Sequence, residues 1–248
     1  MAILVTRPAP DNEKTAAALR ARGYGVLLSP MLRFEAAAFD DDGETAFDAV
    51  ILSSANAVRA IEHHPVRPRL ILLPVFAVGG YTAQVARDAG FTNITIADGD
   101  AVSLRDRVIE SATAGKLKKK AKLCYLAGAD LARDLGGELG ARGFTVVTRT
   151  AYRMIPVAGF SDAVSDAFRA GSIEAVLHYS RRSARAYLDA ARADGVEISA
   201  LALPQCCISE TVAGVLREAG AMQVAAARTP DENAIFDVVD RTVKASPG

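Results

Sequence analysis

Short runs of apolar, often β-branched residues alternate along the chain with longer segments whose apolar positions recur every three or four residues. The short runs predict strands near 2–6, 25–28, 49–53, 75–78, 93–97, 123–126, 145–148, 175–179, 205–208 and 223–226, with amphipathic helices between them. Several helical segments close on a glycine (Gly23, Gly90, Gly143, Gly220), the residue that accepts the left-handed backbone of a helix end. Strand–helix alternation with short, continuously apolar strands predicts parallel sheets covered by helices on both faces.

The pattern repeats. Ile3–Phe34 shifted by 120 positions falls on Leu123–Met154, with Leu19, Ala21-Arg22-Gly23 and Val26 on Leu139, Ala141-Arg142-Gly143 and Val146. Asp48–Ser54 returns 126 positions later as Glu174–Ser180, and Val85–Gly90 returns 130 later as Val215–Gly220. Leu104 and Val108 recur at 131 as Ile235 and Val239. Four blocks in one order predict an internal duplication. The expected fold is α/β, with two flavodoxin-like parallel-sheet lobes of about five strands each and a cleft between them. Pro30–Glu35 and Thr150–Pro156 are extended, proline-flanked and equivalent in the repeat, as two linkers would be.

Composition narrows the functional classes. The chain has 248 residues, half of them apolar, and a formal net charge of zero. One or two domains with real cores are expected, without general attraction for nucleic acid or anionic membrane. The basic run Lys116–Lys120 has no interleaved aromatics and reads as a solvated loop. Three cysteines, two of them vicinal (Cys124, Cys206, Cys207), make no disulfide framework and suggest a reducing, cytoplasmic setting. Met1–Pro8 breaks too early for a signal peptide or a membrane span and reads as a first strand.

In doubly wound sheets ligands bind beyond the carboxyl ends of the strands, where helix N-termini offer free N–H groups. The turns there are Thr6-Arg7-Pro8, Ser53-Ser54-Ala55-Asn56, Gly79-Gly80-Tyr81-Thr82, Ala127-Gly128-Ala129, Ser180-Arg181-Arg182-Ser183 and Ser209-Glu210-Thr211. Each hydroxyl is equally an ordinary helix cap. Together the turns form a donor-rich set suited to an anionic ligand. Gly79-Gly80 is no dinucleotide fingerprint, and no phosphate-binding GxxxxGK[ST] occurs. His63, His64 and His178 lack the spacing of a metal site, and no nucleophile elbow is present. Cys206 and Cys207 read as packing residues on opposite faces of a strand.

These turns resemble the uroporphyrinogen-III synthase family. The resemblance rests on Val5-Thr6-Arg7-Pro8, on Leu52-Ser53-Ser54-Ala55-Asn56-Ala57-Val58 and on Ala77-Val78-Gly79-Gly80-Tyr81-Thr82-Ala83. It extends to Tyr152, to Tyr179-Ser180-Arg181-Arg182-Ser183-Ala184 and to Thr229-Pro230, covering the chain in order. It implies an enzyme that closes hydroxymethylbilane, a linear tetrapyrrole with eight carboxylates, to uroporphyrinogen III. Ring D is inverted and water is lost through an azafulvene and a spiro intermediate, with no metal or organic cofactor.

The resemblance also implies discontinuous lobes, 1–34 with 157–248 and 38–148, joined by connector strands at 30–37 and 149–156. The implied substrate contacts are Thr6, Arg7, Pro8, Ser53, Ser54, Asn56, Gly79, Thr82, Ser180, Arg182, Ser209 and Thr211. Tyr152 is the implied general acid, since a phenol stays protonated at neutral pH and can donate; the alternative is a packing role in the connector. The expected protein is a cytoplasmic monomer, at most in transient contact with the enzyme that supplies its substrate. Three departures matter: Ser209 stands where the family has glycine, Glu210 would sit beside a polyanion, and Val212 replaces a common threonine. Ala127–Asp130 keeps only the glycine of its motif. The competing reading is a non-catalytic, two-lobed binding or sensor protein for an anionic small molecule.

Overall fold

The apolar run Ala2–Val5 forms the first strand, β1, stopped by the turn Thr6-Arg7-Pro8. The computed structural model describes residues 1–131 and 133–244. Residues 245–248, which end the expected first lobe, lie outside the described residues. After β1 come α1 (Asp11–Ala21), β2 (Val26–Leu28), β3 (Leu32–Ala36), β4 (Ala49–Leu52), α2 (Ala55–Ala60), α3 (Arg67–Leu70), β5 (Val75–Ala77), α4 (Gly80–Asp88), β6 (Ile94–Ile96) and α5 (Ala101–Thr113). The remainder runs β7 (Lys122–Gly128), α6 (Leu135–Gly140), β8 (Thr145–Pro156), α7 (Asp162–Arg169), β9 (Ile173–His178), α8 (Arg181–Ala193), α9 (Glu197–Ala202), β10 (Gln205–Cys207), α10 (Glu210–Glu218), β11 (Val224–Ala226) and α11 (Glu232–Lys244). Among the described residues no helix is long and apolar enough to cross a membrane.

Met1–Arg33 with the chain from Ile155 onward forms one unit, and Phe34–Met154 forms the other. The first has a five-stranded sheet in the order β11-β10-β9-β1-β2, parallel throughout. The second has six strands in the order β3-β8-β7-β4-β5-β6, parallel from β8 to β6. Both are doubly wound α/β sheets. In the second unit, Val50, Leu52, Cys124 and Leu126 pack with α2, α3 and α4, while Ile51, Leu123 and Tyr125 pack with α5 and α6. In the first unit, Ile3, Val5, Leu177 and Cys206 bury against α1 and α11.

The duplication governs the pairing. β1 and β2 join β9–β11, whereas their copies β7 and β8 join β4–β6. Ile3 pairs with Ala175 in one sheet; shifted by the repeat offsets, Leu123 pairs with Ala49 in the other. Gln205 with Val176 becomes Val75 with Val50, and Gln205 with Val224 becomes Val75 with Ile94. The registers are therefore the same in both sheets. Gly90 and Gly220, equivalent in the repeat, end α4 and α10 at φ of 100° and 98°, where a Cβ would be strained.

Two details differ from the sequence pattern. The described residues form eleven strands rather than ten, because the extended segment at 32–36 joins the second sheet as an edge strand. The second extended segment is no separate piece: β8 runs unbroken from Thr145 to Pro156. Its ladder with β7 continues from Tyr125–Thr148 through Ala127–Thr150 to Gly128–Tyr152, with one irregularity at the end. The Ala37 N–H donates to the Ala151 carbonyl and the Val157 N–H to that of Met31, so β3 and β8 run antiparallel.

The two cores differ in one place. In the first unit Thr6, His178 and Gln205 are buried at 0%, 0% and 1% exposure. Their repeat equivalents in the second unit are Leu126, Leu52 and Val75, all apolar. Gln205 gives its amide N–H to the Ala200 and Leu203 carbonyls, so its Oε1 accepts from His178 Nε2 at 2.9 Å. Tyr187, edge-on to His178, donates to the same Ala200 carbonyl. Burial pushes His178 down from 6.5 to about 4, holding it neutral.

An unfolded chain protonates this imidazole below pH 6.5 and the folded one only near 4, so stability falls with pH across that window. The full loss is roughly 3 kcal/mol. Urea unfolding between pH 7.5 and about 4 should show this loss in the wild type. The double variant His178→Leu/Gln205→Val, which installs the other unit's residues, should lose that component of the slope.

Candidate functional site

The carboxyl ends of the strands collect the polar turns, and each unit carries its own set. In the first unit Thr6 is completely buried. Its N–H and its hydroxyl both donate to the Leu177 carbonyl, at 3.2 and 2.7 Å, so its side chain shapes the turn rather than lining a surface. The Pro8 carbonyl accepts the Asn12 N–H and starts α1.

Arg7 is one-fifth exposed and heavily engaged. Its Nη1 donates to Glu232 Oε1 at 3.0 Å and to Thr15 Oγ1 at 3.1 Å. Its guanidinium carbon stands 4.6 Å from the centre of the Tyr179 ring, and Asp11 lies 3.8 Å from Nη2. Thr15 donates to the same Glu232 oxygen at 2.6 Å. An anionic ligand reaching Arg7 would therefore compete with Glu232.

Ser180 caps α8: its Oγ accepts the Ser183 N–H at 3.0 Å. Arg182 is half-buried in the first turn of that helix. Ser209 occupies the N-cap of α10 without a side-chain cap bond, and its hydroxyl meets that of Thr211 at 2.9 Å instead. Glu210, the acidic departure from the family motif, is drawn back along its own helix to Arg217.

The second unit carries Ser53, Ser54, Asn56, Gly79, Thr82 and Tyr152. Ser54 caps α2 by accepting the Asn56 N–H at 3.2 Å. The Asn56 amide reaches Met154 Sδ at 3.4 Å, and its Oδ1 accepts Arg59 Nη1 at 2.7 Å. Arg59 Nη2 donates to the Tyr81 hydroxyl at 2.7 Å, tying α2 to α4. Gly79 is the N-cap of α4, and Thr82 is buried in its first turn.

Tyr152 is half-buried on β8, opposite Gly128 in the ladder. Its ring stacks on Phe34 at 6.0 Å between centroids. A Cβ on Gly128 would lie 2.8 Å from the ring's Cζ and 3.0 Å from its hydroxyl. The lone glycine kept in Ala127–Asp130 thus has a physical role: the phenol occupies the space of a side chain there. Tyr125 completes the set. It is 3% exposed, and its hydroxyl donates to Ser53 Oγ at 3.0 Å. Burial raises its pKa, keeping the phenol protonated.

Sequence reasoning passed over Tyr125, Arg59 and Glu232, and named Tyr81 and Tyr179 within motifs without making them site residues. Tyr125 lies within an apolar run and reads as core, whereas its repeat partner Val5 shows that only one copy carries a hydroxyl there. Glu232 and Arg59 sit within helices, and only packing brings them to the turns. Among the described residues no three His, Cys, Asp or Glu side chains converge as metal ligands would. Cys124, Cys206 and Cys207 are buried, which pushes their thiols up to about 12, 11 and 12 and leaves them poor nucleophiles.

The chain matches the family model of uroporphyrinogen-III synthase HemD over residues 13–237. Among solved structures it resembles uroporphyrinogen-III synthetase from Helicobacter pylori, at 17% identity and a TM-score of 0.66, over 96% of this chain and 97% of that one. It also resembles a mutant uroporphyrinogen III synthase from Thermus thermophilus, at 15% identity and a TM-score of 0.60, over 99% and 100%. Among curated proteins no sequence matches. At such identities the structural likeness speaks for the fold, while the family model spans nearly the whole chain. The protein belongs to the uroporphyrinogen-III synthase family.

Proposed function

We propose that the protein is a cyclising hydro-lyase that converts hydroxymethylbilane to uroporphyrinogen III with inversion of ring D. The family match carries this reading, because it runs through both units and every strand-end turn beyond α1. The chemistry of those turns supports it. A polycarboxylate can be held by backbone N–H groups, hydroxyls and a few guanidinium groups, without the net positive charge that this chain lacks. Spontaneous closure of the substrate gives the uninverted isomer, so the enzyme must favour one folded form of a flexible chain, by orientation.

In this reading Tyr152 protonates the departing hydroxyl. Its ring is clamped between Phe34 and the bare backbone of Gly128, which limits where its O–H can point. The substrate-binding donors are those of the two turn sets apart from Thr6, whose N–H and hydroxyl are given to the Leu177 carbonyl, with Ser209 and Thr211 offering hydroxyls not spent on a cap bond. The protein works as a cytoplasmic monomer, without metal or organic cofactor, and any contact with the preceding enzyme is transient.

The deciding experiment generates hydroxymethylbilane in situ and separates the type I and type III products, with and without excess EDTA. Type III should dominate in both conditions. A type III fraction at the spontaneous level would leave a non-catalytic binder.

Tyr152→Phe should cut kcat at least ~100-fold. Gly128→Ala, which pushes the ring away, should also lower kcat but add little in the Tyr152→Phe background. Wild-type turnover in Tyr152→Phe would leave the residue a packing role only.

Thr82→Ala with Ser180→Ala should raise KM, and the lost Ser180 cap should lower stability by about 1 kcal/mol. Unchanged kinetic constants would remove both residues from the binding set.

A further inference from the structure

The hydroxyl pair Tyr125–Ser53 exists in only one of the two copies of the fold. The repeat equivalents of Tyr125 and Ser53 are Val5 and Tyr179. Val5 is fully buried in the same sheet position, so packing there is satisfied by an aliphatic side chain. Tyr179 instead sends its hydroxyl toward Glu232, at 3.4 Å. A phenol at this position of β7 is thus not required by the sheet itself. It occurs in the unit that also carries Tyr152.

The geometry gives this phenol a specific effect. The Tyr125 ring is anchored among Ile51, Leu104, Leu123 and Leu139 in the core beside α5 and α6. Its hydroxyl donates to Ser53 Oγ at 3.0 Å. A phenol is a better donor than an aliphatic alcohol, so Ser53 is held as the acceptor of this bond. The Ser53 proton must then go elsewhere, and the bond it receives strengthens the one it gives. Ser53 itself is half-buried, directly before the cap residue Ser54. Its O–H is left to serve an incoming acceptor.

We propose that Tyr125 is a positioning residue for the reaction: it fixes the Ser53 hydroxyl as a donor to one carboxylate of the substrate. The inference rests on the synthase reading above. Tyr125 touches no substrate, and its effect passes entirely through Ser53.

The test uses the full-length protein with hydroxymethylbilane generated in situ, and compares wild type, Tyr125→Phe, Ser53→Ala, Ser53→Thr and the Tyr125→Phe combinations. Tyr125→Phe preserves the ring and should keep the thermal midpoint within a few degrees. It should raise KM about tenfold, the scale of one misdirected hydrogen bond to a charged group, with kcat within about twofold. The Ser53→Ala/Tyr125→Phe double variant should be no worse than Ser53→Ala alone. Ser53→Thr keeps a hydroxyl and should remain sensitive to Tyr125→Phe. Unchanged KM in Tyr125→Phe overturns the proposal, as do Tyr125→Phe and Ser53→Ala effects that multiply independently. Absence of type III product from the wild type would instead overturn the synthase reading, and with it this inference.

Discussion

The pairing of β1 with β9, and of β7 with β4, is the constraint on which both units depend. Each of these pairs forms the centre of its sheet and joins segments far apart in the chain. β1 and β2 alone would be a two-stranded parallel ribbon with one covering helix, without the β9 and α11 side chains that share the cluster of Ile3 and Val5. Closing the long connection costs entropy, but slowly with length, whereas the buried strands remove nearly all their apolar area from water. The exchange of half-repeats follows from this. β1–β2 completes β9–β11, and β7–β8 completes β4–β6, in equal registers.

The same central pairs set out the chemistry. Parallel strands in register end together, so the turns after β1, β9 and β10 come level in one unit, and those after β4, β5 and β7 in the other. Each turn opens a helix whose first N–H groups lack intrahelical partners. Some hydroxyls accept cap bonds, at Ser54 and Ser180, while Ser209 and Thr211 bond each other. Between two equal scaffolds the differences carry meaning. One unit has Arg7 held by Glu232 over Tyr179; the other has Tyr125 on Ser53 and Tyr152 on Gly128.

Buried polarity is also unequal. The His178–Gln205 bond and the Thr6 hydroxyl occupy a core position that the other unit fills with leucine and valine. Such a network is tolerable only because its donors reach backbone carbonyls or the Gln205 side-chain oxygen. Its neutral imidazole gives the first unit a group whose burial loses stability as pH falls from 6.5 towards about 4. The three cysteines, in contrast, behave as small apolar residues.

Much of this was legible in the chain itself. Alternating periodicity located ten strands, and self-comparison found the duplication, because both depend on local order that a linear pattern preserves. The strand-end turns were legible for the same reason: Ser53, Ser54, Gly79, Ser180 and Ser209 stand between an apolar run and a helix, and only a turn fits there. Partnership was not legible. That Glu232 reaches Arg7, that Tyr125 meets Ser53, and that Tyr152 lies on Gly128 depends on distances across 72 residues or more in the first two cases and on a ladder in the third. A hydrophobic pattern specifies which face of an element is buried, but not which distant element covers it. The sequence thus determined the elements, their repetition and the places where chemistry could sit. Tertiary structure alone decided which side chains meet there, because register and helix packing, not residue order, bring their atoms within hydrogen-bond reach.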